Sequence, residues 1–145
     1  EWVNHIMKKT PQYDTSIGKR YVYANNSISL IKERLVLGFG ANQFKNIYQS
    51  RYINSKEINH PHNNFLFILF ELGLIGLILI LMIFYYQLQT FFSFASKNFL
   101  ELIFPLFFMF IMMFDNYFLN HNTLCFFCLF TFIIYYKTNN RPLAN

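Results

Sequence analysis

Charge is the scarcest property of this chain. Lys, Arg, Asp and Glu make up 13% of its 145 residues, about half the share of an ordinary soluble domain. What charge there is lies at one end. Residues 1–64 hold nine of the twelve Lys and Arg and four of the seven acids, whereas residues 65–145 hold three of each. The excess of positive charge therefore belongs wholly to the first segment and points to an anionic partner for it. Cysteine is nearly absent. Cys125 and Cys128 lie inside an apolar run, where neither a thiolate nor a metal is favoured, so they read as packing and say little about redox compartment. The chain starts at Glu1 with no signal-peptide pattern, and we expect a C-terminal piece of a longer membrane protein with more helices upstream. A glycine-rich nucleotide loop is missing too. Gly38-Phe39-Gly40 has no strand before it and no third glycine at the needed spacing, which argues against a dinucleotide site.

What is present is apolar and aromatic: 54% hydrophobic, with twenty Phe and ten Tyr. The fold class this implies is all-α. We expect a polytopic membrane piece in which an external, amphipathic-helical loop (1–64) precedes three transmembrane helices (65–145). Residues 20–37 read as an amphipathic helix, firm from Ser27 onward, with Ile28, Ile31 and Leu35 on one face. Asn26 or Ser27 would cap it and Gly38 would close it. Phe44, Tyr48, Tyr52 and Ile53 suggest a short helix within 41–59. The clearest span is 65–86, where Glu71 is the one charge and about 20 apolar residues suffice to cross hydrocarbon. Gly73 and Gly76 would give it a small face for a neighbouring helix. The other spans are 98–114, with Glu101 and Pro105 near its start, and 117–136. Lys97, Lys137 and Arg141 flank one side, and the link 115–122 has no Lys or Arg. By the positive-inside rule the link and the 1–64 loop lie outside and the C-terminal tail is cytoplasmic.

The chemistry clusters where the polar segment meets the apolar wall, at His60-Pro61-His62-Asn63-Asn64-Phe65. Asn63 or Asn64 can cap the helix that follows. The histidines can be plain capping-loop residues, metal ligands lacking a third donor nearby in sequence, or a general base near neutral pH. Glu71 falls about two turns, roughly 10 Å, below that cap. It is either a helix-packing hydrogen bond or a carboxylate that orients a histidine or an arginine. Arg20, Arg34 and Arg51 could recognise phosphate, and Asp115 reads as an interfacial polar group.

In order, Arg20, Gly38-Phe39-Gly40-Ala41-Asn42-Gln43-Phe44, His60-Pro61-His62-Asn63-Asn64-Phe65-Leu66 and Glu71-Leu72-Gly73-Leu74-Ile75-Gly76 stand at characteristic spacings. This pattern resembles the C-terminal core of the O-antigen ligase and polymerase superfamily over roughly residues 16–86, and Asp115-Asn116 after a span fits it too. The resemblance implies a bacterial inner-membrane glycosyltransferase with its loop on the periplasmic side. Its partners would be undecaprenyl-diphosphate-linked glycan, an acceptor that is either another glycan or lipid A–core, and membrane lipids, with no nucleic acid, no cofactor and no metal. Carried over, Arg20 grips the diphosphate, His62 is the catalytic base and Glu71 supports the site. Gly38 and Gly40 shape the turn, and Arg34, Arg51, His60 and Asn63 are substrate-binding candidates. One departure is that Tyr23 and Ala24 stand where the family often has tryptophan. The alternative reading is a non-enzymatic transporter or exporter fragment whose basic loop binds anionic lipid.

Overall fold

The computed structural model describes residues 15–52, 58–93 and 98–136. Among them every regular element is a helix: α1 Ser16–Ile31, α2 Phe44–Arg51, α3 Asn64–Ser93, α4 Phe99–Met112 and α5 His121–Tyr136. Lys97, Lys137 and Arg141, which set the expected orientation, lie outside the described residues, as does Ile53.

α1 differs from expectation at both ends. Thr15 caps it, its Oγ1 accepting from Gly18 N at 3.1 Å, and the helix closes at Lys32, several residues before Gly38. Asn26 and Ser27 are not caps. They are buried in mid-helix on the face formed by Val22, Leu30 and Ile31, while Ile28 and Leu35 stay exposed. The physical reason is that two polar residues find partners. Ser27 Oγ donates back to Tyr23 O at 2.7 Å and Asn26 Nδ2 donates to the Tyr48 hydroxyl at 3.0 Å. A search for apolar periodicity cannot see a stripe that includes satisfied polar groups. The short helix expected within 41–59 is α2, and its Phe44 and Tyr48 are both fully buried and stacked at 5.2 Å.

The organising feature is a break in α3. Gly73 has φ 65° and ψ −164°, a conformation open essentially to glycine alone. An unbroken helix would run Leu74 N to Phe70 O and Ile75 N to Glu71 O. Both bonds are replaced. The turn after α1 enters the gap, so that Leu74 N donates to Leu35 O (2.9 Å) and Ile75 N to Val36 O (3.4 Å). In return, Phe39 N donates to Phe70 O and Gly40 N to Glu71 O, both at 2.9 Å. Four backbone groups that the break would strand are thus satisfied by a neighbouring loop, as apolar surroundings require. Gly38 makes the approach possible, because a Cβ there would sit 2.6 Å from the Gly73 nitrogen. The sequence reading gave Gly73 to helix–helix contact. The structure gives it to a helix–loop splice.

α3 packs antiparallel against α4 on both sides of the break. Phe91 meets Phe99 at one end (6.0 Å between rings) and Asn64 meets Asp115 at the other. Ile68, Phe84, Phe108, Met112, Phe118 and Phe127 form the core between α3, α4 and α5. The outward faces of α4 and α5 are lined with exposed Phe, Leu, Ile and Met. Among the described residues α3, at 30 residues, is the one helix long and apolar enough to cross a membrane. α4 and α5 have 14 and 16 residues, about 21 and 24 Å against roughly 30 Å of hydrocarbon.

Candidate functional site

The site forms where the first turn of α3 meets the turn after α4. Asn63 caps the start of α3, its Oδ1 accepting from Leu66 N at 3.0 Å, while its Nδ2 donates to Met113 O at 3.2 Å. Asn64, fully buried, donates to Asp115 O at 2.7 Å. These two amides bolt the 113–115 backbone to the head of α3, which fixes the Asp115 carboxylate beside the histidines.

Three side chains converge on that carboxylate. His62 Nδ1 lies 3.1 Å from Asp115 Oδ1, His60 Nδ1 lies 3.7 Å from the same oxygen, and an Arg20 Nη lies 3.8 Å from Oδ2. Arg20 also donates to Phe114 O at 3.3 Å, and its side chain remains about half exposed. Asp115 Oδ1 further accepts from Asn116 N at 2.8 Å. Burial raises the Asp115 pKa, but the Asn116 N–H, the His62 hydrogen bond and the charges of His62 and His60 together outweigh it and hold the group below the usual carboxylate range. An ionised carboxylate only accepts, so His62 Nδ1 is the donor, and in the neutral ring Nε2 carries the lone pair. His62 is held at φ 55°, a left-handed conformation unusual outside glycine, and its ring lies nearly parallel to that of Tyr23 at 6.2 Å.

His60, His62 and Asp115 present ligand atoms all within 4.8 Å of one another, so the third donor absent from the local sequence comes from fifty residues away. Arg20 changes what that cluster favours. Its guanidinium already supplies positive charge to the carboxylate, and a divalent ion bound there would sit beside a like charge.

The other sequence candidates fall elsewhere. Glu71 is buried and its Oε1 accepts from Phe44 N at 3.3 Å, tying α3 to the start of α2 rather than orienting a histidine or an arginine. Gly38 and Gly40 belong to the splice at Gly73. Arg34 lies over the Phe39 ring at 5.5 Å, and Arg51 pairs with Glu33 at 3.1 Å, both at the end of α1 opposite Arg20. The structure therefore brings together Arg20, His60, His62 and Asn63, and does not bring Arg34, Arg51 or Glu71 to them. It adds Asp115, Asn64 and Tyr23. The signal that pointed to Asp115 was its place directly after an apolar run.

No curated protein and no solved structure matches the chain. The O-antigen ligase family model matches residues 2–81, a stretch that contains Arg20, the glycine turn and both histidines and stops short of Asp115. With more than half its length under that match and the motifs in their expected order, the chain belongs to the O-antigen ligase family.

Proposed function

We propose that the protein is a membrane glycosyltransferase that transfers an undecaprenyl-diphosphate-linked glycan to an acceptor hydroxyl during assembly of surface polysaccharide, without a metal ion. The observation that carries this reading is the 3.1 Å bond from His62 to Asp115, with Arg20 on the other oxygen of the same carboxylate. Asp115 holds the His62 ring in the tautomer whose Nε2 can accept a proton, and it balances the imidazolium that results. Nε2 removes the proton from the acceptor hydroxyl as that oxygen bonds to the sugar anomeric carbon. The bond from that carbon to the diphosphate oxygen breaks, and undecaprenyl diphosphate leaves with the electron pair. Arg20 keeps about half of its side chain exposed, and its guanidinium stabilises the charge that grows on the diphosphate.

We place the site on the periplasmic face of the bacterial inner membrane, with α3, α4 and α5 as multi-pass helices. The lipid tail stays in the bilayer, so a base that serves it belongs at the head of an apolar helix. We favour the polymerase reaction, in which a second lipid-linked glycan is the acceptor, over transfer to lipid A–core. Glu71, Gly38 and Gly40 act at a distance by holding α2 and the splice in place.

The test is His62→Ala and Arg20→Ala in the full-length protein, with both acceptors supplied. Each variant is expected to lower transfer by about 10²-fold or more while inserting normally. Unchanged glycan chain length and attachment in both would overturn the reading.

A further inference from the structure

We propose that His60 is a hydrogen-bond donor to the leaving diphosphate, its Nε2–H binding an anionic oxygen beside the Arg20 guanidinium. The inference rests on the reading of Arg20 and His62 given above and assigns the second histidine its own task.

The two imidazoles stand edge to face, 4.5 Å between centroids, over one carboxylate. Their hydrogen bonds put them in opposite tautomers. Asp115 Oδ1 already accepts twice in hydrogen-bonding range, from His62 Nδ1 at 3.1 Å and from Asn116 N at 2.8 Å. A carboxylate oxygen has two lone pairs, so it has none to spare for His60 Nδ1 at 3.7 Å, which is beyond hydrogen-bond range in any case. His60 Nδ1 instead faces the backbone N–H of His62, at 3.4 Å, and accepts from it. In a neutral ring the one hydrogen must then sit on Nε2. Burial is the main cause that lowers the His60 pKa from the ordinary histidine value; the neighbouring His62 and, more weakly, Arg20 add to it, and Asp115 opposes them. Nε2–H has no acceptor among the described residues, and the side chain is 29% exposed. His62 thus offers an open lone pair and His60 an open N–H, 4.5 Å apart by ring centres.

Glycosyl transfer needs that pair of properties. One group must accept the hydroxyl proton, and another must donate to the oxygen on which charge grows. Arg20 and His60 bear on the two oxygens of one carboxylate, Oδ2 at 3.8 Å and Oδ1 at 3.7 Å, and Arg20 is near enough for its charge to act on His60. In this proposal a diphosphate seated over Arg20 takes His60 as its second donor. The donor role survives without ionisation, so it holds across the neutral range.

The experiment measures binding of undecaprenyl diphosphate to the purified full-length protein, beside transfer in membranes. His60→Gln keeps an N–H near the Nε2 position. His60→Leu has similar bulk and no donor, and His60→Asn keeps an acceptor for the His62 N–H but no donor at that reach. The Gln variant is expected to bind within about threefold of the parent, and the Leu and Asn variants about tenfold or more weaker. Comparable melting temperatures separate binding from folding, and the Asn variant serves if the Leu variant does not fold. Equal binding by Gln, Leu and Asn variants, whether all normal or all lost, overturns the donor role. If Arg20→Ala loses binding and His62→Ala loses transfer while all three His60 variants match the parent, this inference alone falls. If Arg20→Ala and His62→Ala are both unaffected, the proposed function falls with it.

Discussion

The two cores of this protein are built by different rules. The first, around Leu30, Ile31, Phe44, Tyr48, Ile58 and Phe70, holds α1, α2 and the first half of α3 together. It carries buried Asn26, Ser27 and Glu71, each with a named partner, and it is closed by two glycines that allow backbone to meet backbone. The second, around Phe84, Phe104, Phe108, Phe118 and Phe127, is a set of interlocking rings with centroids 4.9–6.1 Å apart. Ring contacts of this kind are individually modest and mutually redundant. A hydrogen bond inside a core is neither: losing one partner strands the other. The difference teaches where precision is needed. The first core fixes Tyr23 and the chain leading to His62, so it must be specified atom by atom. The second holds three apolar helices side by side, and the polar contacts between them, Gln87 to Thr131 at 3.1 Å and Tyr135 to Glu101 O at 2.8 Å, lie at the end away from the site.

The sharpest way to break the comparison is Gly73→Ala. No L-residue adopts φ 65° and ψ −164° without strain, and the new methyl would meet the Val36 backbone. We expect a loss of at least about 3 kcal/mol, measured as thermal unfolding in detergent, with transfer lost as the splice opens. Next comes a matched pair. Asn26→Ala leaves the buried Tyr48 hydroxyl without its donor and should cost about 1–3 kcal/mol. Phe127→Leu, in the redundant core, should cost less than about 1.5 kcal/mol. Equal costs would show that both cores follow one rule.

Smaller still is the pH dependence of the site that the first core supports. His60 has its folded pKa lowered, so the unfolded chain binds more protons near pH 6. Stability should therefore fall as pH drops from about 6.5 toward that lowered value, and His60→Gln should flatten this part of the profile. Asp115, also lowered, contributes stability above the ordinary carboxylate pKa and loses it only at more acid pH, so its effect separates from that of His60. The smallest effect belongs to Arg51→Ala. Its pair with Glu33 is exposed on both sides, and we expect less than about 1 kcal/mol and little change in transfer.

Much of the site was legible in the sequence, and the reason lies in chain order. His60, His62, Asn63 and Asn64 are neighbours, and a capping asparagine at the head of an apolar run places them at a boundary before any fold is known. Arg20 was legible through the family pattern. Asp115 was seen but not assigned, because a carboxylate fifty residues away declares no partner until α4 turns back along α3. Glu71, two turns below the histidines on the same helix, leaves two readings open in sequence, a packing hydrogen bond or a carboxylate that orients a histidine or an arginine, and the structure shows the packing bond. A helix carries that side chain round to a different neighbour, and the nearest donor turned out to be Phe44 N. The helix expected over 20–37, with Asn26 or Ser27 as its cap, is found at Ser16–Ile31 for a related reason. Periodicity weighs apolar side chains, and this face was completed by Asn26 and Ser27.

The sequence by itself determined that the chain is helical, apolar in its second half and basic in its first, and that a histidine pair stands at the junction. These are properties of composition and spacing, which act locally. Only the tertiary structure decided that α3 breaks at Gly73, that a loop repairs the break, and that two histidines and an arginine share one carboxylate. Each of those depends on hydrogen bonds and ion pairs between residues 31 to 95 apart in the chain, whose partners are fixed by packing and not by any local preference.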